Sequence, residues 1–163
     1  MSPLTINITY SEIDHLSRDL AKKVKEQFNP EVILAVGGGG FIPARIMRTE
    51  LNVPMYAINL ASYVEDETSA QTQQEIRVSQ WINPDLLKNK RVIIVDEVDD
   101  TRKTINYIVD RLNSEIKQPE NLGVAVIHNK TKEKDKSIDL NELGVYYNQA
   151  KVFRNEWVHY PWD

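Results

Sequence analysis

Four β-branched apolar residues in a row, Val92-Ile93-Ile94-Val95, run straight into two carboxylates, Asp96 and Glu97. A short continuous apolar run suits a strand buried on both faces, as in the middle of a parallel sheet. The acid pair is expected to end it, because a buried strand does not readily accept two adjacent charges. Asp99-Asp100-Thr101-Arg102-Lys103-Thr104 then leads into Ile105, Ile108, Val109 and Leu112, an apolar set at helical spacing. Strand, acid pair, polar loop and helix in that order place the loop at the carboxyl edge of a sheet. Open α/β sheets bind their ligands there.

The chemistry of the loop follows from its residue types. Backbone N–H groups at the start of a helix lack intrahelical partners and attract phosphate. Thr101 and Thr104 add hydroxyl donors, and Arg102 and Lys103 add positive charge. The carboxylates of Asp96 and Glu97 can accept from vicinal sugar hydroxyls or bind a hydrated Mg²⁺. A phosphate grip beside a hydroxyl grip describes a site for a ribose phosphate. The same residues also allow an ordinary strand–loop–helix with solvated acids at the strand end.

Residues 92–104 resemble the phosphoribosyl-pyrophosphate (PRPP) motif of the type I phosphoribosyltransferases: apolar residues, an acid pair, then Asp-Thr-x-Lys-Thr. One position departs, with Arg102 where that family usually has Gly. Glycine reaches positive φ cheaply and arginine does not, so the departure bears on the loop's backbone. It also offers a guanidinium that could approach the phosphate.

The chain has 163 residues, a length expected of one domain with one real core. Its formal net charge of −4 gives no support for nucleic-acid binding, which shows as a basic excess. With no cysteine, disulfides, thiolate metal sites and a cysteine nucleophile are excluded. No apolar run reaches the length of a membrane span and no signal peptide is evident, so a soluble, cytoplasmic domain is expected.

Thr9-Tyr10-Ser11-Glu12 has the form of a capping box. It precedes a helix with Ile13, Leu16, Leu20, Val24 and Phe28 on one face, stopped by Asn29-Pro30. A strand over residues 31–36 runs into Gly37-Gly38-Gly39-Gly40. Four glycines are costly in backbone entropy unless the chain must come close to something. Pyrophosphate held by exposed N–H groups is one candidate, and a tight turn into the next helix is the other. In the type I family the loop at this place binds pyrophosphate, which implies that role for Gly37, Gly38 and Gly39. Several 6-oxopurine members carry Lys or Arg where this chain has Gly38. The run from Gly37 to Arg48 is most similar to the fungal hypoxanthine–guanine and xanthine enzymes.

A second strand is expected from Pro54 to Ala61, followed by a polar stretch over residues 64–75 that cannot bury itself and reads as a mobile loop. Ser62-Tyr63 resembles the start of the flexible loop that closes over 6-oxopurine active sites. Another buried strand, residues 122–127, ends at His128-Asn129-Lys130. Lys130 alone reads as one lysine of a lysine-rich loop. The resemblance instead implies a base-binding lysine, whose three donors and no acceptor suit purine O6 and oppose the amino group of adenine. The tail, Glu156-Trp157-Val158-His159-Tyr160-Pro161-Trp162-Asp163, is too aromatic to be frayed. It resembles the Trp-x-x-x-Pro-Trp-acid ending of the same enzymes. That implies a base stacked on Trp157, a 2-position read by backbone groups of Val158, and a metal- and pyrophosphate-linked acid at Asp163. Core packing is the alternative for Trp157 and Trp162.

The resemblance therefore implies an α/β fold with a central, mostly parallel sheet flanked by helices. A small hood would be built from the amino-terminal helix and the aromatic tail. It implies transfer of a 5-phosphoribosyl group from PRPP to N9 of hypoxanthine, guanine or xanthine. Asp96 and Glu97 would hold the ribose, residues 100–104 the 5-phosphate, and Glu97 with Asp163 would hold Mg²⁺. Asp100 would act as the general acid/base, and the enzyme would be a homodimer or homotetramer. Two rivals stay open: an adenine or pyrimidine phosphoribosyltransferase, and a PRPP-sensing regulator that uses the same fold without catalysis.

Overall fold

The computed structural model describes residues 4–64 and 74–163. After a three-residue strand, β1 (Thr5–Asn7), Thr9 caps helix α1 (Tyr10–Gln27) by accepting the N–H of Glu12 at 3.1 Å. Ile13, Leu20, Ala21 and Val24 on its inner face are fully buried. Asn29, with φ of 51°, turns the chain out of the helix. There follow β2 (Val32–Gly37), α2 (Phe41–Leu51), β3 (Met55–Val64), β4 (Gln74–Gln80), β5 (Val92–Asp99), α3 (Lys103–Ile116), β6 (Leu122–Lys130), a short turn of helix α4 (Leu140–Leu143), β7 (Tyr146–Phe153) and β8 (Trp157–His159).

Six strands form the main sheet in the order β4-β3-β2-β5-β6-β7. All neighbours are parallel except β4, which returns antiparallel to β3 at one edge. Side chains alternate across the two faces. Val32, Leu34, Val36, Val92 and Ile94 pack with Ile105, Ile108, Val109 and Leu112 of α3. Ile33, Ala35, Ile93 and Val95 pack with Leu20 and Val24 of α1 and Ala44 and Met47 of α2. Both faces of β2 and β5 are covered, and that is the physical reason for their unbroken apolar runs. Among the described residues no helix is long and apolar enough to cross a membrane.

Three expectations are corrected. The acid pair does not end β5. The strand runs on to Asp99 because β6 continues beside it, pairing Asp96 with Val126, Val98 with His128 and Asp99 with Asn129. β6 likewise extends through Lys130. The hood does not include α1, whose apolar stripe lies against α2 and the sheet. The tail instead pairs with β1, which the sequence pattern did not reveal, in a two-stranded parallel ribbon with Ile6 opposite Val158. The expected mobile loop falls largely on residues 65–73, outside the described residues.

Candidate active site

The chain leaves β2 toward β3 and leaves β5 toward β6, in opposite directions across the sheet. The carboxyl ends of the adjacent strands β2 and β5 therefore flank a crevice, the switch point at which such sheets bind ligands. A cavity of ≈310 Å³ lies there, walled by Gly37, Gly38 and Gly39, by the chain from Asp96 to Ile105, and by Leu60 and Ser62 of β3. Tyr63 lies one residue further along the same strand.

Between β2 and α2 the chain makes a tight turn with a cis peptide between Gly37 and Gly38. The N–H of Gly40 donates to the Val36 carbonyl and that of Phe41 to the Gly38 carbonyl. Gly38 and Gly39 have no backbone partner for theirs among the described residues. Each glycine leaves a different space. A Cβ on Gly39 would fall on the Glu97 carboxylate, and one on Gly40 would lie 2.6 Å from the carbonyl oxygens of both Val36 and Val95. At Gly38 nothing lies within 4 Å. Gly38→Lys is therefore expected to fold with stability within about 0.5 kcal/mol of the parent. It is also expected to lower the KM for a diphosphate-bearing substrate about 10-fold through a charge-assisted hydrogen bond. Denaturant unfolding together with steady-state kinetics checks both.

Within β5, three residues before its end, Asp96 is buried and its Oδ1 accepts the N–H of Glu97 at 2.9 Å. Burial, reinforced by the neighbouring Glu97 charge, pushes the Asp96 carboxyl well above the usual carboxylate range. Beyond it the chain reaches α3, whose N-terminus has no side-chain cap. The first backbone bond of that helix runs from the Asn106 N–H to the Arg102 carbonyl. The N–H groups of Lys103, Thr104 and Ile105 thus precede any intrahelical bond and border the cavity, where a phosphate would accept them.

Arg102 differs from expectation. It adopts the left-handed backbone, φ 68° and ψ 4°, that glycine would favour. Its guanidinium is not held toward a phosphate: Nε and Nη2 donate to Asp99 Oδ2 at 3.1 and 2.8 Å. The buried Asp99 carboxylate draws it there.

Lys130 is buried to 8 % exposure, whereas Trp157 remains 60 % exposed. The Lys130 ammonium lies 5.4 Å from the centre of the Trp157 ring and 3.9 Å from Asp100 Oδ1. Asp100 thus stands between the phosphate loop and an open aromatic face. Its Oδ1 also lies 2.7 Å from Lys132 Nζ. In the β1–β8 ribbon the N–H of Trp157 donates to Leu4, and the N–H of Ile8 donates to the carbonyl of His159. Strand alternation therefore turns the backbone groups of Val158 toward the ribbon's other edge. Lys130, Trp157, Val158 and Asp163 do not wall the cavity itself. Asp163 closes a turn in which its Oδ2 accepts the N–H of Tyr160 at 2.9 Å.

Tyr160, in turn, ties the tail to the site. Its hydroxyl lies 2.8 Å from His128 Nδ1 and donates to the Glu97 carbonyl at 3.4 Å. Trp162 stacks on its ring, so it packs, and His128 is fully buried against Phe153. Burial, and then the Lys151 charge, pushes His128 down to about 4. A folded value depressed below the ordinary 6.5 contributes stability that is present above pH 6.5 and lost as pH falls through about 4. The loss amounts to about 3 kcal/mol. His128→Gln should flatten the difference in unfolding midpoint between those two pH values.

The motif pattern did not single out Asp99, Tyr147, Lys132 or Lys134, which border or brace the site. Three of them sit in a lysine-rich loop or a mixed-polarity strand where no local pattern marks them. Asp99 was read only as part of a polar loop.

The phosphoribosyl transferase domain family matches residues 9–149. The chain belongs to that family. It is 36 % identical to the hypoxanthine-guanine phosphoribosyltransferase of Schizosaccharomyces pombe, covering 100 % of this chain and 91 % of the relative. It is 33 % identical to xanthine phosphoribosyltransferase 1 of Saccharomyces cerevisiae, covering 96 % and 88 %. Among solved structures, a hypothetical protein of Neisseria gonorrhoeae with bound ppGpp superposes with a TM-score of 0.85 at 34 % identity, covering 100 % of this chain and 91 % of that one.

Proposed function

We propose that this protein is a 6-oxopurine phosphoribosyltransferase of purine salvage, moving the 5-phosphoribosyl group of PRPP to N9 of hypoxanthine, guanine or xanthine. One observation carries the reading. The glycine turn, the acid pair and the open α3 N-terminus share one cavity, and Asp100 joins that cavity to the Lys130–Trp157 platform.

The 5-phosphate is held by the N–H groups at the start of α3 and by Thr101, Lys103 and Thr104. The ribose hydroxyls lie against Asp96 and Glu97, and the pyrophosphate lies along Gly37, Gly38 and Gly39. The base stacks on Trp157 with its O6 on Lys130 and its 2-position facing the backbone of Val158. N9 attacks C1′ of the ribose as the bond from C1′ to the pyrophosphate oxygen breaks, and Asp100 takes the proton leaving N7. Positioning and electrostatics supply the rate enhancement, with no covalent enzyme intermediate. Ser62 walls the cavity from β3, where it and Tyr63 pair with β4, so these two residues lie in a strand and not in the expected loop.

The oxygen donors fit Mg²⁺. Asp96 and Glu97 are hard carboxylates at the cavity, and no group of three or more His, Cys, Asp or Glu among the described residues could cage an ion. Such a site suits a cation whose remaining ligands are substrate oxygens and water. Glu97, which walls the cavity, would be one holder and Asp163 the second, and the ion would neutralise charge on the leaving pyrophosphate. The same site is proposed to accept ppGpp, the ligand named for the N. gonorrhoeae protein.

The deciding experiment measures nucleotide formation from PRPP and Mg²⁺ with hypoxanthine, guanine, xanthine and adenine in parallel. Turnover of oxo bases alone is expected. Adenine turnover would sink the Lys130 assignment while leaving the PRPP site standing. PRPP binding without turnover, together with retention of RNA or DNA at physiological salt, would favour a PRPP-sensing regulator. Trp157→Ala is expected to raise the KM for the base roughly 10-fold or more by removing the stacking face. The KM for PRPP should stay unchanged.

A further inference from the structure

Position 102 combines an uncommon backbone with an unusually committed side chain. The left-handed conformation at the head of α3 is one that L side chains seldom adopt. Its guanidinium grips Asp99 Oδ2 through two donors, and the Asp99 side chain has no exposed surface. The Tyr147 hydroxyl donates to the same Oδ2 at 2.7 Å, and the guanidinium lies 4.8 Å from the centre of the Tyr147 ring. Arg102 therefore bridges the last residue of β5 and the start of β7. From the other side, Lys134 Nζ donates to the carbonyls of Asp99, Asp100 and Lys130. It also lies 3.5 Å from Asp99 Oδ1.

These tethers surround the short loop that carries Asp100, Thr101 and the start of α3. A glycine at 102 would reach the same backbone angles but would lose the tether to Asp99 and Tyr147, leaving the loop held only from the Lys134 side. A group held in its binding geometry beforehand loses less freedom when the ligand arrives. We propose that Arg102 is a positioning residue: held by Asp99 and Tyr147, it presets the phosphate loop, so that binding of the 5-phosphate depends on a side chain turned away from it. The proposal rests on the reading of residues 100–104 as the 5-phosphate subsite. It makes Arg102 a tether for the loop where a ligand-contacting arginine was expected.

The test compares the parent protein with R102G, R102K and the double variant D99N/R102G. Ribose 5-phosphate binding is measured by calorimetry, KM and kcat for PRPP by kinetics, and stability by denaturant unfolding. R102G is expected to weaken ribose 5-phosphate binding and raise the KM for PRPP, each roughly 10-fold, with kcat changed far less. R102K should fall between, since an ammonium keeps the charge but has neither the fork nor the planar face. D99N/R102G removes the buried charge that R102G leaves short of a partner, so it should regain stability while its binding stays weak. That split separates positioning from a merely structural role. Parent-like ribose 5-phosphate binding by R102G, or recovery of both stability and binding by the double variant, overturns the proposal. A parent protein that binds ribose 5-phosphate but turns over no base defeats the enzymatic reading and leaves the tether testable by binding. A parent that binds neither ribose 5-phosphate nor PRPP defeats the phosphate subsite and the tether together.

Discussion

Asp100→Asn is expected to lower kcat roughly 10²–10⁴-fold with base and PRPP both saturating, the range over which a positioned acid/base group contributes. Asparagine keeps the size and the hydrogen-bonding reach of the side chain but cannot accept a proton at neutral pH. The carboxylate lies 2.7 Å from Lys132 and 3.9 Å from Lys130, at the join between the cavity and the Trp157 face. A purine stacked on that face would bring its ring nitrogens toward Asp100. The side chain is 42 % exposed, so its replacement should change stability by less than about 0.5 kcal/mol. The 5-phosphate contacts through backbone N–H groups survive, and PRPP should bind nearly as tightly as to the parent. Near-normal turnover by Asp100→Asn would remove the acid/base role from this residue. Loss of PRPP binding in parallel would make Asp100 a structural member of the loop instead.

The glycine turn should separate function from folding within two residues. In Gly39→Ala the added methyl takes the place now held by the Glu97 carboxylate, the mobile end of a side chain that can swing aside. The fold survives, but the acid pair is displaced from the cavity and the turn fills where the pyrophosphate would lie. A displacement of about 1 Å at such a group can cost on the order of 10²-fold in kcat/KM. In Gly40→Ala the methyl meets backbone carbonyls of Val36 and Val95 at 2.6 Å, inside the two central strands, where nothing can swing aside. Overpacking of that kind costs about 1–3 kcal/mol. Urea midpoints and kcat/KM measured on both variants check this. An inactive, stable Gly39→Ala beside an unstable Gly40→Ala is the expected pair. The reverse order would place the ligand on the wrong side of the turn.

Much of this architecture is legible because it depends on near neighbours. The cap at Thr9 follows from Glu12 three residues later, and the structure has it. The doubly buried run at Val92 follows from apolar continuity, and both faces are covered. The loop chemistry of residues 96–104 is local too, and the structure gathers those residues with Gly37, Gly38 and Gly39 around one cavity. Where local rules were pushed further they failed. Two adjacent carboxylates looked incompatible with a strand, yet β5 continues because β6 lies beside it. Thr5–Asn7 carries too few residues to announce a strand, and it becomes one only because β8 lies alongside.

By itself the sequence marked most of the core, α1, β2, β5, α3 and β6 among it, though not β7 (Tyr146–Phe153), whose mixed polarity hides it, and it marked which loops carry carboxylates, hydroxyls and positive charge. Those properties arise from periodicity, capping and side-chain chemistry within a few residues. Only the tertiary structure decided that β2 and β5 are neighbours, so that two loops far apart in the chain open on one crevice. It set Trp157 beside Lys130, two residues the family resemblance had implied for one base, and it alone turned Arg102 toward Asp99 and Tyr147. The physical reason is common to all three. Strand order and long-range pairing are settled by how two helical layers and an aromatic tail cover the sheet together, and no short window of residues contains that information.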